Sequence, residues 1–139
     1  MQTKDVILKK QFSKNHLRLT KNRLDILNIL RTSAQPMTIQ QIITKSAAKS
    51  HFTSIYRSVS YLAQAGILRE VPRGFKTYYE LGEKLRPHHH HITCEICHRS
   101  QSIESNKIES LVHELATFQK FKLTGHNFEL TGICQDCQK

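Results

Sequence analysis

Apolar residues in the first half of the chain recur at helical spacing, and the breaks between them carry residues that start and stop helices. Val6, Ile7, Leu8 and Phe12 predict a short first helix ending near Ser13-Lys14-Asn15-His16. Thr20 stands where an N-cap belongs, ahead of a stripe of Leu24, Ile26, Leu27, Ile29 and Leu30, and the stretch from Ser33 to Pro36 ends this second helix. Thr38 caps a third, carrying Ile39, Ile42 and Ile43. A fourth, from Phe52 to Ala65 with Gly66 as its stop, brings Ile55, Val59 and Leu62 together on one face at about 100° per residue. Thr53, Arg57 and Ser60 face away from that stripe, with Tyr56 and Tyr61 on its flanks.

After Gly66 the pattern changes. Residues 67–71, then Pro72-Arg73-Gly74, then residues 75–81 predict a β-hairpin with a basic tip. Helices followed by such a hairpin form a winged helix-turn-helix, in which the second helix of the turn enters the major groove and the wing lies along the backbone. The polar, proline-terminated run from Leu81 to Pro87 predicts a linker. Beyond it, residues 88–95 and 100–103 predict strands, and Ser105 is placed to cap a helix running through Phe118 with a stripe of Ile108, Leu111, Val112 and Leu115. A closing strand contains Phe128, Leu130 and Ile133. The fold class expected is α+β: a DNA-binding domain at 1–83, a hinge at 84–87, and a small α/β domain at 88–139.

Charge sharpens that division. The net charge of +10 lies wholly in the first part: residues 1–87 carry 16 Lys/Arg against 5 Asp/Glu, whereas residues 88–139 carry 5 against 6. A basic half joined to a near-neutral half points to one domain for a polyanion and another for a different task. The outward face of the fourth helix offers a hydroxyl, a guanidinium and phenols to bases or phosphates, and holds no acid. No apolar run is long enough for a signal peptide or a membrane span, so a cytoplasmic protein is expected. In that reducing compartment, four cysteines in two close pairs serve as metal ligands rather than disulfides.

The strongest chemical signal is the pair of Cys-x-x-Cys knuckles, Cys94/Cys97 and Cys134/Cys137. Each knuckle turns two sulfurs toward one ion, and two of them complete a tetrahedral zinc shell with no open position, which means structure rather than catalysis. The run His88-His89-His90-His91 divides by strand alternation, His88 and His90 to one face, His89 and His91 to the other. Each pair needs further ligands. Glu70, Glu80, Glu83, Glu104, Glu109, Glu129, His98, His113 and His126 are the candidates, and spacing alone does not choose among them.

Taken together, these residues resemble the ferric uptake regulator family of bacterial metalloregulators. The resemblance rests on Leu17-Arg18-Leu19-Thr20 with Arg23, on Thr53-Ser54-Ile55-Tyr56-Arg57, on Tyr79-Glu80-Leu81, on the histidine run and on both cysteine pairs, in the expected order along nearly the whole chain. It implies a homodimer whose two winged helices reach a palindromic double-stranded DNA operator, with a C-terminal α/β dimerisation domain holding the metals. It further implies DNA contacts from Tyr56 and Arg57, beside the outward-facing Thr53 and Ser60, and structural Zn2+ on the four cysteines. His88 and His90 would join Glu109 and His126 in one site of the dimerisation domain, and His89 and His91 would join Glu80 in the hinge site that senses metal. The chain departs from the family at Pro36 and Met37, where many iron-responsive members place a histidine ligand, at Ser102, where some carry glutamate, and at His98, which stands in place of a glycine. No fifth cysteine lies near the hinge.

The function expected is a metal-dependent repressor, not an enzyme, controlling iron or zinc uptake. Nitrogen and oxygen ligands suit Fe2+ or Zn2+ as the regulatory ion, with Mn2+ and Ni2+ also compatible. The rival reading is a non-switching zinc-ribbon module that binds nucleic acid. The deaminase pattern, a nucleophile elbow and a phosphate loop are all missing from the sequence.

Overall fold

A computed structural model describes residues 2–47 and 52–139, which fall into two units, 1–87 and 88–139. The first unit opens with α1 (Gln2–Lys14), α2 (Lys21–Thr32), α3 (Ile39–Lys45) and α4 (Phe52–Gln64). Thr20 caps α2 by accepting from the Arg23 backbone N–H, and Thr38 and Gln41 close a reciprocal capping box on α3. The first helix is longer than its apolar residues imply; among its described side chains only Phe12 is buried, and Val6 lies open to solvent. Ile26, Leu27, Leu30, Ile42, Ile43, Ile55, Val59 and Leu62 form the core between α2, α3 and α4. The first three expected apolar positions of α4 are wholly buried, and Ser58 joins them on the inner face.

Gly66 ends α4. Its N–H donates to the Ala63 carbonyl and that of Ile67 to the Leu62 carbonyl, the bond pair of a Schellman motif, which needs a positive φ at residue 66 and finds 66° there. The chain then enters a hairpin of β1 (Leu68–Arg73) and β2 (Lys76–Leu81). Its loop is Gly74-Phe75, not Pro72-Arg73-Gly74 as the turn residues suggest. Gly74 has φ 56° and Phe75 does not share a positive φ, the arrangement of a type II′ turn. Pro72 is tolerated inside β1 because the alternation of the ladder puts it at a non-hydrogen-bonded position opposite Thr77. Met37 and Tyr79 exchange backbone hydrogen bonds at 2.9 and 2.7 Å, fastening the segment before α3 to the wing. Residues 83–86, expected as linker, make a turn closed on the Gly82 carbonyl by the N–H groups of Leu85 and Arg86.

The second unit contains β3 (His90–Cys94), β4 (Ser100–Ile103), α5 (Asn106–Phe118), β5 (Glu129–Gly132) and a 3₁₀ turn at Gln135–Cys137. The sheet order is β4-β3-β5, with β3 antiparallel to β4 and parallel to β5. The first expected strand begins two residues late, at His90, and the closing strand is shorter than its apolar residues, leaving Phe128 and Ile133 at its ends. Ser105 is the N-cap residue of α5, but its side chain makes no capping bond. Three residues on stands Ile108 rather than a Glu or Gln, so no capping box can close.

This unit has almost no apolar core. Among the described residues, those buried from 88 onward are Cys94, His89, His90, His91 and Ser100. The stripe expected to be buried on α5 is not: no residue of that helix is buried, and Leu111 and Leu115 are each 55% exposed. The periodicity is amphipathic, but within one chain nothing covers that face.

Candidate metal centres and nucleic-acid interface

The two cysteine knuckles are built by backbone before any metal is considered. In the first, His98 N–H donates to the Cys94 carbonyl at 2.9 Å and Cys94 N–H to the Arg99 carbonyl at 2.9 Å, bending the chain through four residues. The bend needs a left-handed residue, and His98 supplies it at φ 60°, where a glycine would rest without strain. In the second, Cys137 N–H donates to the Cys134 carbonyl at 2.9 Å. Glu95 N–H donates to the Gly132 carbonyl at 2.9 Å and ties the knuckles together.

The four sulfurs converge within 4.8 Å of one another. Cys97 Sγ lies 3.7 Å from Cys134 Sγ, far beyond a disulfide bond of about 2.05 Å. It matches the separation of about 3.8 Å that two sulfurs adopt when each sits about 2.3 Å from one tetrahedral zinc. Electrostatics favour an ion at this place. The Cys94 thiol is pulled down to about 6, first by the Cys134 backbone N–H and then by those of Cys97 and Ile96, while its neighbours Cys134, Cys97 and Cys94 push the Cys137 thiol up to about 12. The backbone stabilises one thiolate and the crowding resists a second, a conflict that a divalent cation resolves. The residues present therefore fit zinc.

A second ligand group forms in the same unit. His90 Nε2 stands 2.7 Å from Glu109 Oε1, with His88 Nε2 at 3.3 Å and His126 Nε2 at 3.5 Å from that oxygen, and 3.1 Å separates the His88 and His126 nitrogens. Four ligands about 2.0–2.1 Å from a tetrahedral ion would stand about 3.3–3.4 Å apart, so these nitrogen and oxygen atoms surround a point that suits one. β3 supplies His90, the first turn of α5 supplies Glu109, and Phe128 packs its ring 5.5 Å from that of His90. Glu109 is held below the ordinary carboxylate range chiefly by its hydrogen bond to His90; burial opposes this, and the charges of His88, His126 and His90 each lower it further.

His89 and His91 turn to the other side of the strand, their rings 4.8 Å apart and both buried. The alternation of the four histidines is thus preserved although the first two precede the strand proper. In the first unit, Glu80 is buried on β2 and accepts from Arg69 Nε at 2.8 Å. Among the described residues, Glu70, Glu83, Glu104, Glu129, His98 and His113 join no group of three ligands.

The outer face of α4 presents Thr53, Tyr56, Arg57 and Ser60 to solvent, and α4 contains no acid. Thr53 and Arg57 line an open groove of about 550 Å³ together with Thr20, Arg23, Phe52 and Tyr61. Asn22 Nδ2 donates to Ser54 Oγ at 2.9 Å, locking the start of α2 to the start of α4. The Arg23 guanidinium donates to the Arg18 carbonyl at 2.6 Å and stands 5.7 Å over the Tyr61 ring. Arg23 and Tyr61 lie on different helices and meet only in the folded unit, so no local pattern in the sequence pairs them. Asp25 anchors the turn after α3, accepting from Ser46 Oγ at 2.5 Å and from the Ala47 N–H at 3.1 Å.

The chain's likeness to known proteins agrees with this geometry. Residues 14–131 match the model of the ferric uptake regulator family. The ferric uptake regulation protein of Campylobacter upsaliensis is 33% identical over 144 residues, covering 96% of this chain and 90% of the relative. The ferric uptake regulator of Helicobacter pylori, whose structure reveals three functional metal-binding sites, superposes with a TM-score of 0.80 at 22% identity, over 98% of this chain and 94% of that one. A zinc uptake regulator complexed with zinc and DNA superposes with a TM-score of 0.68 at 20% identity, over 99% and 95%. Among the described residues, no helix is long and apolar enough to cross a membrane.

Proposed function

Because the chain belongs to the ferric uptake regulator family of metal-responsive transcription regulators, which are not enzymes, we propose that it is a repressor that binds a palindromic operator as a metal-loaded homodimer and controls iron or zinc uptake. The observation that carries this reading is the division of the four histidines into two same-side pairs beside a separate, closed set of four sulfurs. A lone zinc ribbon needs only the sulfurs.

In this reading residues 1–83 bind DNA, 84–87 act as the hinge, and 88–139 hold the metals and the partner subunit. Cys94, Cys97, Cys134 and Cys137 keep structural Zn2+, and His88, His90, Glu109 and His126 form a second site within the dimerisation domain. Glu80, His89 and His91 are the sensor set, where a regulatory divalent ion, Fe2+ or Zn2+ first and Mn2+ or Ni2+ also by ligand chemistry, would supply its positive charge. Thr53, Tyr56, Arg57 and Ser60 meet the operator through the acid-free face of α4. The open apolar stripe of Leu111 and Leu115 supports the homodimer, since a second copy can cover what one chain leaves bare. Metal and DNA binding then strengthen each other by a single coupling energy, typically about 1–3 kcal/mol.

Operator binding measured across a metal titration tests the sensor assignment. His89→Ala/His91→Ala protein that keeps its structural zinc should lose the metal-dependent gain in affinity; a full gain in that variant would remove these residues from the sensor.

A further inference from the structure

The register of the wing sets Arg69 directly opposite Glu80. Two guanidinium nitrogens converge on a single carboxylate oxygen, Nε at 2.8 Å and Nη2 at 2.6 Å from Oε1, while Arg86 Nη1 stands 3.9 Å from Oε2. Exposure across this group is uneven. The Glu80 side chain is 3% exposed, that of Arg69 18% and that of Arg86 31%. The anion is fixed inside and its cations sit toward the edge.

A buried carboxylate requires a counter-charge, and removing one partner from such a pair leaves a charge that the interior solvates poorly. Glu80 already has that counter-charge from within its own hairpin. A divalent ion arriving while Arg69 stays in place would crowd like charges around one buried carboxylate. Arg69 Nε and Nη2 both reach Oε1. A partly exposed guanidinium can also swing into water on its own stem, whereas the carboxylate cannot follow.

From these facts, and resting on the reading of Glu80, His89 and His91 as the sensor set, we propose that Arg69 is a resident counter-cation of Glu80 that the sensed metal must displace. Arg69 thereby sets the metal concentration at which the sensor fills. In the metal-free protein it keeps the carboxylate neutralised and the wing folded. When the ion takes over Glu80, the guanidinium leaves for solvent, so the affinity of the sensor is reduced by what it costs to break the internal pair. Arg69 is an affinity-setting residue in this sense and touches no metal itself.

Co2+ titrated into protein retaining its structural zinc, followed by its visible absorption and by competition with a chelator, tests the proposal. The Co2+ equivalent that His89→Ala removes is the one belonging to the sensor. Arg69→Met should tighten that equivalent by tenfold or more, which is about 1.4 kcal/mol, and should have no such effect in a Glu80→Gln background. Arg69→Lys, which keeps a charge beside the carboxylate and so protects folding, should give a smaller gain. Metal-free Arg69→Met should also melt lower than the wild type and recover more on adding Co2+. Unchanged or weaker Co2+ binding in Arg69→Met and Arg69→Lys, with Glu80→Gln still impaired, would overturn the counter-cation role and leave the sensor reading standing. Unimpaired Co2+ binding in Glu80→Gln would overturn both.

Discussion

His90 and Glu109 approach through Nε2 and Oε1 to 2.7 Å, so the atoms offered to a metal are the same atoms that share a proton without one. The sign of the proton exchange follows from the carboxylate. Glu109 is depressed below the ordinary carboxylate value, so its contribution is present above that value and is lost only as pH falls through the depressed one. Between about pH 5 and 7 it is already ionised and gives up no proton when metal binds. Calorimetry of metal binding should therefore show that Glu109→Gln weakens affinity across this range. Unchanged affinity in Glu109→Gln would remove this carboxylate from the site.

Cys97→Ser removes one of four sulfurs from a unit with almost no apolar core. Structural zinc supplies on the order of 10 kcal/mol in small metal modules, more than such a unit could replace. The variant should lose its zinc, its C-terminal fold and its dimer together, as seen by metal analysis and size-exclusion chromatography. A soluble, zinc-free dimer that still responds to metal would contradict the structural role.

Arg57 lies on the acid-free face of α4 and lines the groove beside Arg23. If it reads a base edge, Arg57→Ala should cost about 1–3 kcal/mol on the operator and narrow the ratio of operator to random-sequence affinity. Binding isotherms on both DNAs over a range of salt distinguish the roles. Equal losses on both, with a shallower salt slope, would make Arg57 a phosphate contact instead.

Asp25→Ala takes away the acceptor for Ser46 Oγ and the Ala47 N–H just after α3. Hydrogen bonds to a charged group are each worth about 1.5–3 kcal/mol, and loss of this anchor should lower the unfolding midpoint of the first unit and weaken operator binding. A variant as stable as the wild type would show that the helices position the turn without it.

Gly82→Ala should destabilise the wing by about 1–3 kcal/mol, because a Cβ at this position would run into the Gly66 carbonyl oxygen and there is backbone on both sides of the clash. Gly132 has open space around the equivalent point and no positive φ, so Gly132→Ala is the matched control and should change little. Chemical denaturation of both variants compares them, and similar losses would mean that the 82–66 approach is loose.

What the sequence made legible was local. Thr20 and Thr38 announce their helices because a cap is a contact over three residues, and the histidines fall two to each side because extended backbone alternates whether or not it is paired in a ladder. The wing shows where such reading fails. Placing the tip at Pro72-Arg73-Gly74 hides the partner of Glu80, whereas a loop at Gly74-Phe75 puts Arg69 opposite it, so a small error in turn position conceals the ion pair. The stripe on α5 was legible as amphipathic, but periodicity records which face is apolar and not which chain covers it. Glu109 and His126 could be tied to His88 and His90 only through the family resemblance, since the contacts that gather them span separate elements.

One strand, β3, carries His90 and His91 on opposite sides and Cys94 at its end. Substitution can alter any one of these ligands and spare the rest, but a single inserted or deleted residue between His91 and Cys94 would turn every side chain before it to the other side relative to the zinc knuckle. Such a frame of alternating ligands can drift in sequence while tolerating no change in length, so divergence of these sites should proceed by replacement alone.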